Sequence, residues 1–390
     1  MSQEEPSSPS PPDAAGPRHA SAPLDQADPI ASLAARLGQG PFALVLLFAG
    51  DGADLGRLLP RAAELLGPCA LAGCSTAGEI GETGYRDGSL VAIAFPAASF
   101  AADTILIDPI DAIEQRSMIA RLQQLRQGLR ARAEPFPHEL AILLVDGLSG
   151  REEHLIASLA GGLGPVPTVG GSAGDGRRFV RSQVFSGLAL RDRGAAALCL
   201  LRSRMPLRTF SFNSSQPSRT QMVVTRADPA RRMVLRINDE PAALEYARLL
   251  DCPPESLGPR MFATRPVLVR AAGRHFVRSI RDVGPGNALA FFGAIAEGMV
   301  LTLADEADIV TDLSRSLAGL AEAGAPRMVL GFDCIFRRID AENRQKTREV
   351  SALLARHNVA GFSTYGEQFG RLHVNQTLTG VAFYDPDPQP

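Results

Sequence analysis

Residues Gly361 to Gly380 read GFSTYGEQFGRLHVNQTLTG. The string gathers two hydroxyls (Ser363, Thr364), a phenol (Tyr365), a carboxylate (Glu367), an imidazole (His373) and two amides (Asn375, Gln376) among glycines. Glycine lets a backbone turn tightly and brings N–H groups close to a ligand. Far upstream, Gly73–Glu79 reads GCSTAGE and shares five of seven positions with Gly361–Glu367. A looser copy, GGSAGDG, occupies 170–176.

Working outward from these turns, the same order of segments precedes each. A continuous apolar run comes first: Phe42–Phe48, Ala141–Val145 and Met328–Gly331. Runs without alternation mark strands buried on both faces. Apolar residues at helical spacing follow, over 55–66 (with Pro60 inside), 151–160 and 339–356. A short apolar piece then enters the glycine turn. Each set spans about 30 residues, the size of a β-α-β unit. The chain is therefore expected to be α/β (or α+β), partly built from three repeats with parallel pairing inside each.

Further strands are expected at Ser89–Phe95, 183–190, 195–201 and Thr377–Tyr384, and an amphipathic helix over 115–132. The middle region differs. Met222–Ile237 alternates like paired strands, Asn238-Asp239-Glu240-Pro241 turns into a helix at Ala242–Leu250, and strands fall near 267–271, 275–280 and 288–292. These changes divide the chain into a disordered Pro/Ser/Ala-rich tail (1–28) and two mixed sheet-and-helix domains, 29–222 and 223–390.

Composition narrows function. A net charge of −2 gives no basic field for nucleic acid. Five scattered cysteines lack C-x-x-C spacing, so a zinc site and a disulfide scaffold are unsupported. No apolar run approaches the roughly 20 residues needed to span a bilayer. A secretory signal is also missing, which places the protein in the cytoplasm without membrane insertion.

The turns supply the candidate ligand-binding residues: Ser75, Thr76, Glu79, Ser172, Asp175, Ser363, Thr364, Tyr365, Glu367 and Asn375. None of the turns is a hydrolase elbow, which requires Gly-x-Ser-x-Gly. Glu79 and Glu367 occupy matching positions, so they offer an acid–base pair for an enzyme acting on a small metabolite. Equally, a turn carboxylate commonly bonds nearby backbone N–H groups. Among the histidines, His275, His357 and His373 are the candidate haem ligands, though a lone histidine is most often structural.

Taken together, GCSTAGEI (73–80), GGSAGDG (170–176), DEPAALEY (239–246) and YGEQFGRLHVNQTLTG (365–380) resemble FIST-domain proteins over nearly the whole ordered chain. The resemblance implies a sensory module of N- and C-terminal FIST parts that binds a small ligand and is not an enzyme. Endings like GFSTYGEQ and HVNQTLTG are also similar to the NosP nitric-oxide-sensing haem proteins. That likeness implies haem b as cofactor and, as partner in trans, a histidine kinase or a diguanylate cyclase/phosphodiesterase. No haem ligand carries over from it to a numbered residue, so the three histidines rest on local chemistry.

Overall fold

A computed structural model describes residues 15–271, 273–305 and 308–386. It is mixed α/β, with three six-stranded sheets and one eight-stranded sheet among the described residues. The three expected units are present, and each holds a parallel pair. Phe42–Ala49 runs parallel to Ala70–Ser75, with helix Leu55–Leu66 between them. His138–Asp146 and Thr168–Ala173 flank helix Glu152–Leu163 in the same way. Met328–Cys334 pairs with Val359–Thr364 in the third unit. There the single helix expected over 339–356 is two, Ile335–Asn343 and Thr347–Arg356. The break falls where Gln345 takes a left-handed φ of 59°.

Each sheet continues outward through two antiparallel strands. The inner ones are Ser89–Pro96, Ala196–Ser203 and Leu378–Phe383; the outer ones are Arg18–Pro23, Phe100–Ile107 and Leu207–Phe212. On its other side, each sheet is completed by a hairpin from a different unit. The hairpin after the first turn (Glu79–Gly81, Gly84–Arg86) joins the third sheet through Gly361↔Ile80. The hairpin after the third turn (Glu367–Phe369, Leu372–Val374) joins the second through Glu367↔Gly171. The hairpin after the second (Val184–Ser186, Ala189–Arg191) joins the first through Val184↔Cys74. The exchange closes a ring.

This arrangement explains the non-alternating strands. Their inner faces share one core, which includes Phe48, Leu144, Phe332, Phe362 and Phe383. Phe48 and Phe362, from different units, lie 4.6 Å apart between ring centroids. Their outer faces pack under each unit's own helices. Fully burying one such Leu or Phe stabilises by roughly 1.5–3 kcal/mol.

Between Leu207–Phe212 and helix Ile309–Leu320 the chain leaves the ring to build the eight-stranded sheet, from Gln216–Asp228 to Val300–Asp305. That sheet has its own core around Tyr246, Phe262 and Phe291, sealed onto the ring by Phe336 and Tyr365. The expected cut at 222/223 falls inside strand Gln216–Asp228. The third unit begins before this insertion and resumes after it, so no single cut separates the two cores. The disordered tail also needs correction. Residues 1–14 lie outside the described residues, but Arg18–Pro23 pairs with Ser89–Pro96, and Asp28 caps helix Pro29–Leu37. Small residues such as Ala20 and Ala22 bury completely there, which the low apolar content of the stretch concealed.

Candidate functional site

The three turns meet at the centre of the ring. Ala77 N donates to the Ser363 carbonyl (2.9 Å), Tyr365 N to that of Ser172 (3.1 Å) and Gly174 N to that of Ser75 (3.1 Å). In return, Ser363 N donates to Gly78 O (2.7 Å), Ser172 N to Gly366 O (2.8 Å) and Ser75 N to Gln183 O (2.9 Å). Gly73, Gly170 and Gly361 hold equivalent places in the parallel pairs. A Cβ on them would stand 1.9, 1.9 and 1.8 Å from the neighbouring strand's carbonyl oxygen. Those glycines are required by close approach of two backbones.

Inside this hub most of the predicted ligand contacts are engaged with the protein itself. Glu79 is fully buried and accepts from Thr76 Oγ1, Ser89 N (3.1 Å) and Ser89 Oγ (2.8 Å). Glu367 repeats the pattern with Thr364 Oγ1, Thr377 N (3.2 Å) and Thr377 Oγ (2.8 Å). Burial pushes Glu79 up to about 7 and Glu367 up to about 8, against the opposing pull of those hydrogen bonds. Both carboxylates are clasps inside their own turns. The second unit has Ala173 and Gly176 at the corresponding positions and no such clasp. Ser172 accepts from Gln368 Nε2 at 2.9 Å, and Ser363 is fully buried.

Tyr365 and Asp175 form a second joint. The phenol donates to Asp175 Oδ1 (2.6 Å) and accepts from Asp175 N (3.0 Å), while Asp175 Oδ2 accepts from Val180 N and Arg181 N. The Tyr365 ring lies 4.4 Å from that of Phe179. Asn375 is buried with its Nδ2 3.5 Å from His373 Nε2.

Ser75 differs, because it is half-buried at the edge of an open cleft of about 790 Å3. The cleft lies at the carboxyl ends of Phe42–Ala49 and Ala70–Ser75. Its walls are residues 50–56, which run from the strand end into the start of helix Leu55–Leu66, with Asp175 and side chains of the second unit's hairpin region. Arg178 bridges it to Asp51 and reaches Asp175 at 3.7 Å; Arg181 pairs with Asp192 at 3.1 Å. Asp51, Arg178, Arg181 and Asp192 escaped the sequence reading. Their signal was the run Arg177-Arg178 and Arg181 directly after GGSAGDG.

The candidate haem ligands lie apart. His373 is 3% exposed, and burial pushes it down to about 4. His357 caps the C-terminal end of helix Thr347–Arg356. His275 lines a groove of about 570 Å3 with Phe210, Phe276, Phe369, Leu372 and Val374, rimmed by Arg208 and Arg315. Among the described residues no group of three or more His, Cys, Asp or Glu is placed to hold a metal ion. The groove combines one imidazole with these apolar side chains and two arginines among polar neighbours, a donor set that can hold a haem, whereas the His373 imidazole is buried in the protein. Among the described residues, no helix is long and apolar enough to cross a membrane.

Fold and site thus define a non-repetitive insertion carried by a threefold α/β ring, with polar clefts where the units meet. Residues 43–240 match the FIST N domain and residues 242–370 the FIST C domain, so the chain belongs to the FIST family. FIST domains are associated with sensory signal transduction. The junction between the two matches falls within the inserted sheet, at the turn before helix Ala242–Leu249. A search of curated proteins finds no match.

Proposed function

We propose that this protein is a ligand sensor whose site is the open cleft between the first and second units. The observation that carries the reading is the position of that volume. It opens at the carboxyl ends of adjacent parallel strands, where α/β proteins characteristically bind ligands. Ser75, Asp51, Arg178, Arg181, Gln183 and Asp192 give it donors and acceptors of both charges, suiting a small polar molecule. A ligand competing for Arg178 would break its bridge to Asp51 and change how the second unit's hairpin sits on the first sheet. Differential affinity for the two arrangements is what converts occupancy into a signal. The output passes to a histidine kinase or a diguanylate cyclase/phosphodiesterase; this step rests on the likeness of GFSTYGEQ and HVNQTLTG to the NosP proteins. Catalysis by Glu79 and Glu367 is disfavoured by their full burial and engaged oxygens.

The test is a thermal-shift screen of small polar metabolites on the full chain. At least one should raise the melting temperature, and Arg178→Ala with Arg181→Ala should abolish that response. A response that survives the double substitution would move the site elsewhere.

A second reading concerns haem, and the groove around His275 favours it. His275 would hold the iron through an imidazole nitrogen, Phe276, Phe369 and Leu372 would give apolar walls, and Arg208 and Arg315 would give partners for the propionates. Haem bound there would supply the nitric-oxide-binding iron. On reconstitution, His275→Ala should lose the Soret band while His357→Ala and His373→Ala keep it. A band unaffected by His275→Ala would remove this groove from consideration.

A further inference from the structure

Three equivalent seams run around the ring, because each exchanged hairpin lies beside the outer strand of the unit it came from. Side chains close two of them. In the first, Ser21 N donates to Glu82 Oε1 at 3.1 Å, and Arg86 Nη1 donates to Ser21 Oγ at 2.7 Å. In the second, Ser186 Oγ donates to Thr104 Oγ1 at 3.0 Å and Arg191 bridges to Asp108. The third seam lies between Leu207–Phe212 and Leu372–Val374. Both strands line an open groove of about 570 Å3 there, and among the described residues no hydrogen bond joins them.

Three sheet edges converge on this groove. Leu207–Phe212, Leu372–Val374 and Arg274–Arg278 each end the strand order of a different sheet. Register shows what the longest of them offers. Tyr384 N donates to Pro206 O at 2.9 Å, and the pairing continues from Leu207↔Phe383 to Phe212↔Leu378. In an antiparallel ladder, alternate residues bond the partner strand. Arg208, Phe210 and Phe212 therefore turn their backbone groups to Leu378–Phe383, while Leu207, Thr209 and Ser211 turn theirs outward. Among the described residues those outward groups have no backbone partner. The strand reads LRTFSF, with one charge and neither proline nor glycine. An uncovered edge of this kind is a template for another strand, and proteins ordinarily blunt it.

The lining selects the occupant. Phe276, Phe369 and the 46% exposed Leu372 give apolar walls. Arg208 and Arg315 border the groove against one carboxylate, Glu322, which leaves an excess of positive charge. Both arginines are exposed; Arg208 Nη1 reaches the Gly319 carbonyl at 3.2 Å and Arg315 reaches Asp312 at 3.2 Å. Haem would cover the outward N–H and C=O groups of Leu207, Thr209 and Ser211 without pairing them, a desolvation cost that an extended chain avoids.

We propose that this seam is a docking groove for an extended segment of a partner protein, which adds as a strand to Leu207–Phe212. The segment carries apolar residues at alternate positions for the Phe276, Phe369 and Leu372 walls, and a carboxylate for Arg208 or Arg315. Main-chain bonds to Leu207, Thr209 and Ser211 supply affinity, and the alternate side chains supply specificity. The inference is independent of the open cleft, and a strand here leaves no room for haem.

The experiment selects displayed random heptapeptides on the full chain and measures the labelled winners by fluorescence anisotropy. Enriched sequences should alternate apolar residues, carry Asp or Glu and lack a central proline. Thr209→Pro is the deciding variant, since an edge strand tolerates proline where the N–H faces away from its sheet, yet a docking donor is lost. It should weaken binding by about tenfold or more. Arg315→Gln should weaken it by about threefold, and Arg178→Ala with Arg181→Ala should bind as the wild type does. Should Thr209→Pro fail to fold, Leu372→Glu decides instead, because it sets a carboxylate on the opposite, exposed wall and should repel the acidic peptide. The proposal is overturned if no peptide is enriched, if the winners are basic or proline-rich, or if the deciding variant binds them unchanged. A dimer that Thr209→Pro dissociates would give the edge to a second copy, and a Soret band lost on His275→Ala would give the groove to haem; either result overturns the proposal.

Discussion

Thr364 and Thr377 close on the Glu367 carboxylate as Thr76 and Ser89 close on Glu79, with the same sequence separations of three and ten residues. Because burial raises both acids above their ordinary value of 4.5, the folded state holds their protons more tightly than the unfolded chain does. Their contribution is fully present below pH 4.5 and is lost as pH rises through about 7 for Glu79 and about 8 for Glu367. Glu367→Gln, a neutral isostere, should flatten the fall in stability between pH 5 and 8 in denaturant titrations; an unchanged slope would mean that Glu367 is ionised throughout. Tyr365→Phe removes the phenol from Asp175 and should cost about 1–3 kcal/mol by the same measurement. The Ser-Thr-x-Gly-Glu pattern was visible in the sequence, and its recurrence did mark related positions. Its role was not visible, because burial of a turn carboxylate depends on which distant strand covers it. Phe362 faces Glu79 across nearly three hundred residues.

At the scale of elements, the apolar runs Phe42–Phe48, Ala141–Val145 and Met328–Gly331 announced the parallel pairs correctly, because burial on both faces leaves no polar alternation to misread. Short strands such as Glu79–Gly81 and Leu372–Val374 were illegible, since three-residue segments acquire strand character only from the neighbouring sheet that receives them. The glycines in these pairs are more exacting than the turns they precede. Gly170→Ala would place a Cβ 1.9 Å from Leu143 O, so it should destabilise by about 3 kcal/mol or more, or prevent folding. Gly187, with a φ of 59° but nothing near its Cβ position, should cost only about 1 kcal/mol on the same change.

For the whole molecule, the exchange of hairpins makes the ring interdependent. A fragment ending at the FIST N boundary, residue 240, would contain Glu79–Gly81 and Leu207–Phe212 without the strands they pair with, Val359–Thr364 and Leu378–Phe383. Such a fragment should lack cooperative unfolding, in contrast to the two-domain division suggested by the mid-chain change in pattern. That pattern was real, but it marked an insertion within the third unit. The interlock also gives ligand binding a route to the rest of the fold, because the wall containing Arg178 and Gln183 precedes a hairpin of the first sheet. Hydrogen exchange on the full chain, with and without a saturating metabolite from the thermal-shift screen, tests that account most directly. Slower exchange should appear over residues 50–56 and 175–183, and Arg178→Ala with Arg181→Ala should remove it. Protection that leaves both segments unchanged would contradict the assignment of the open cleft as the sensing site.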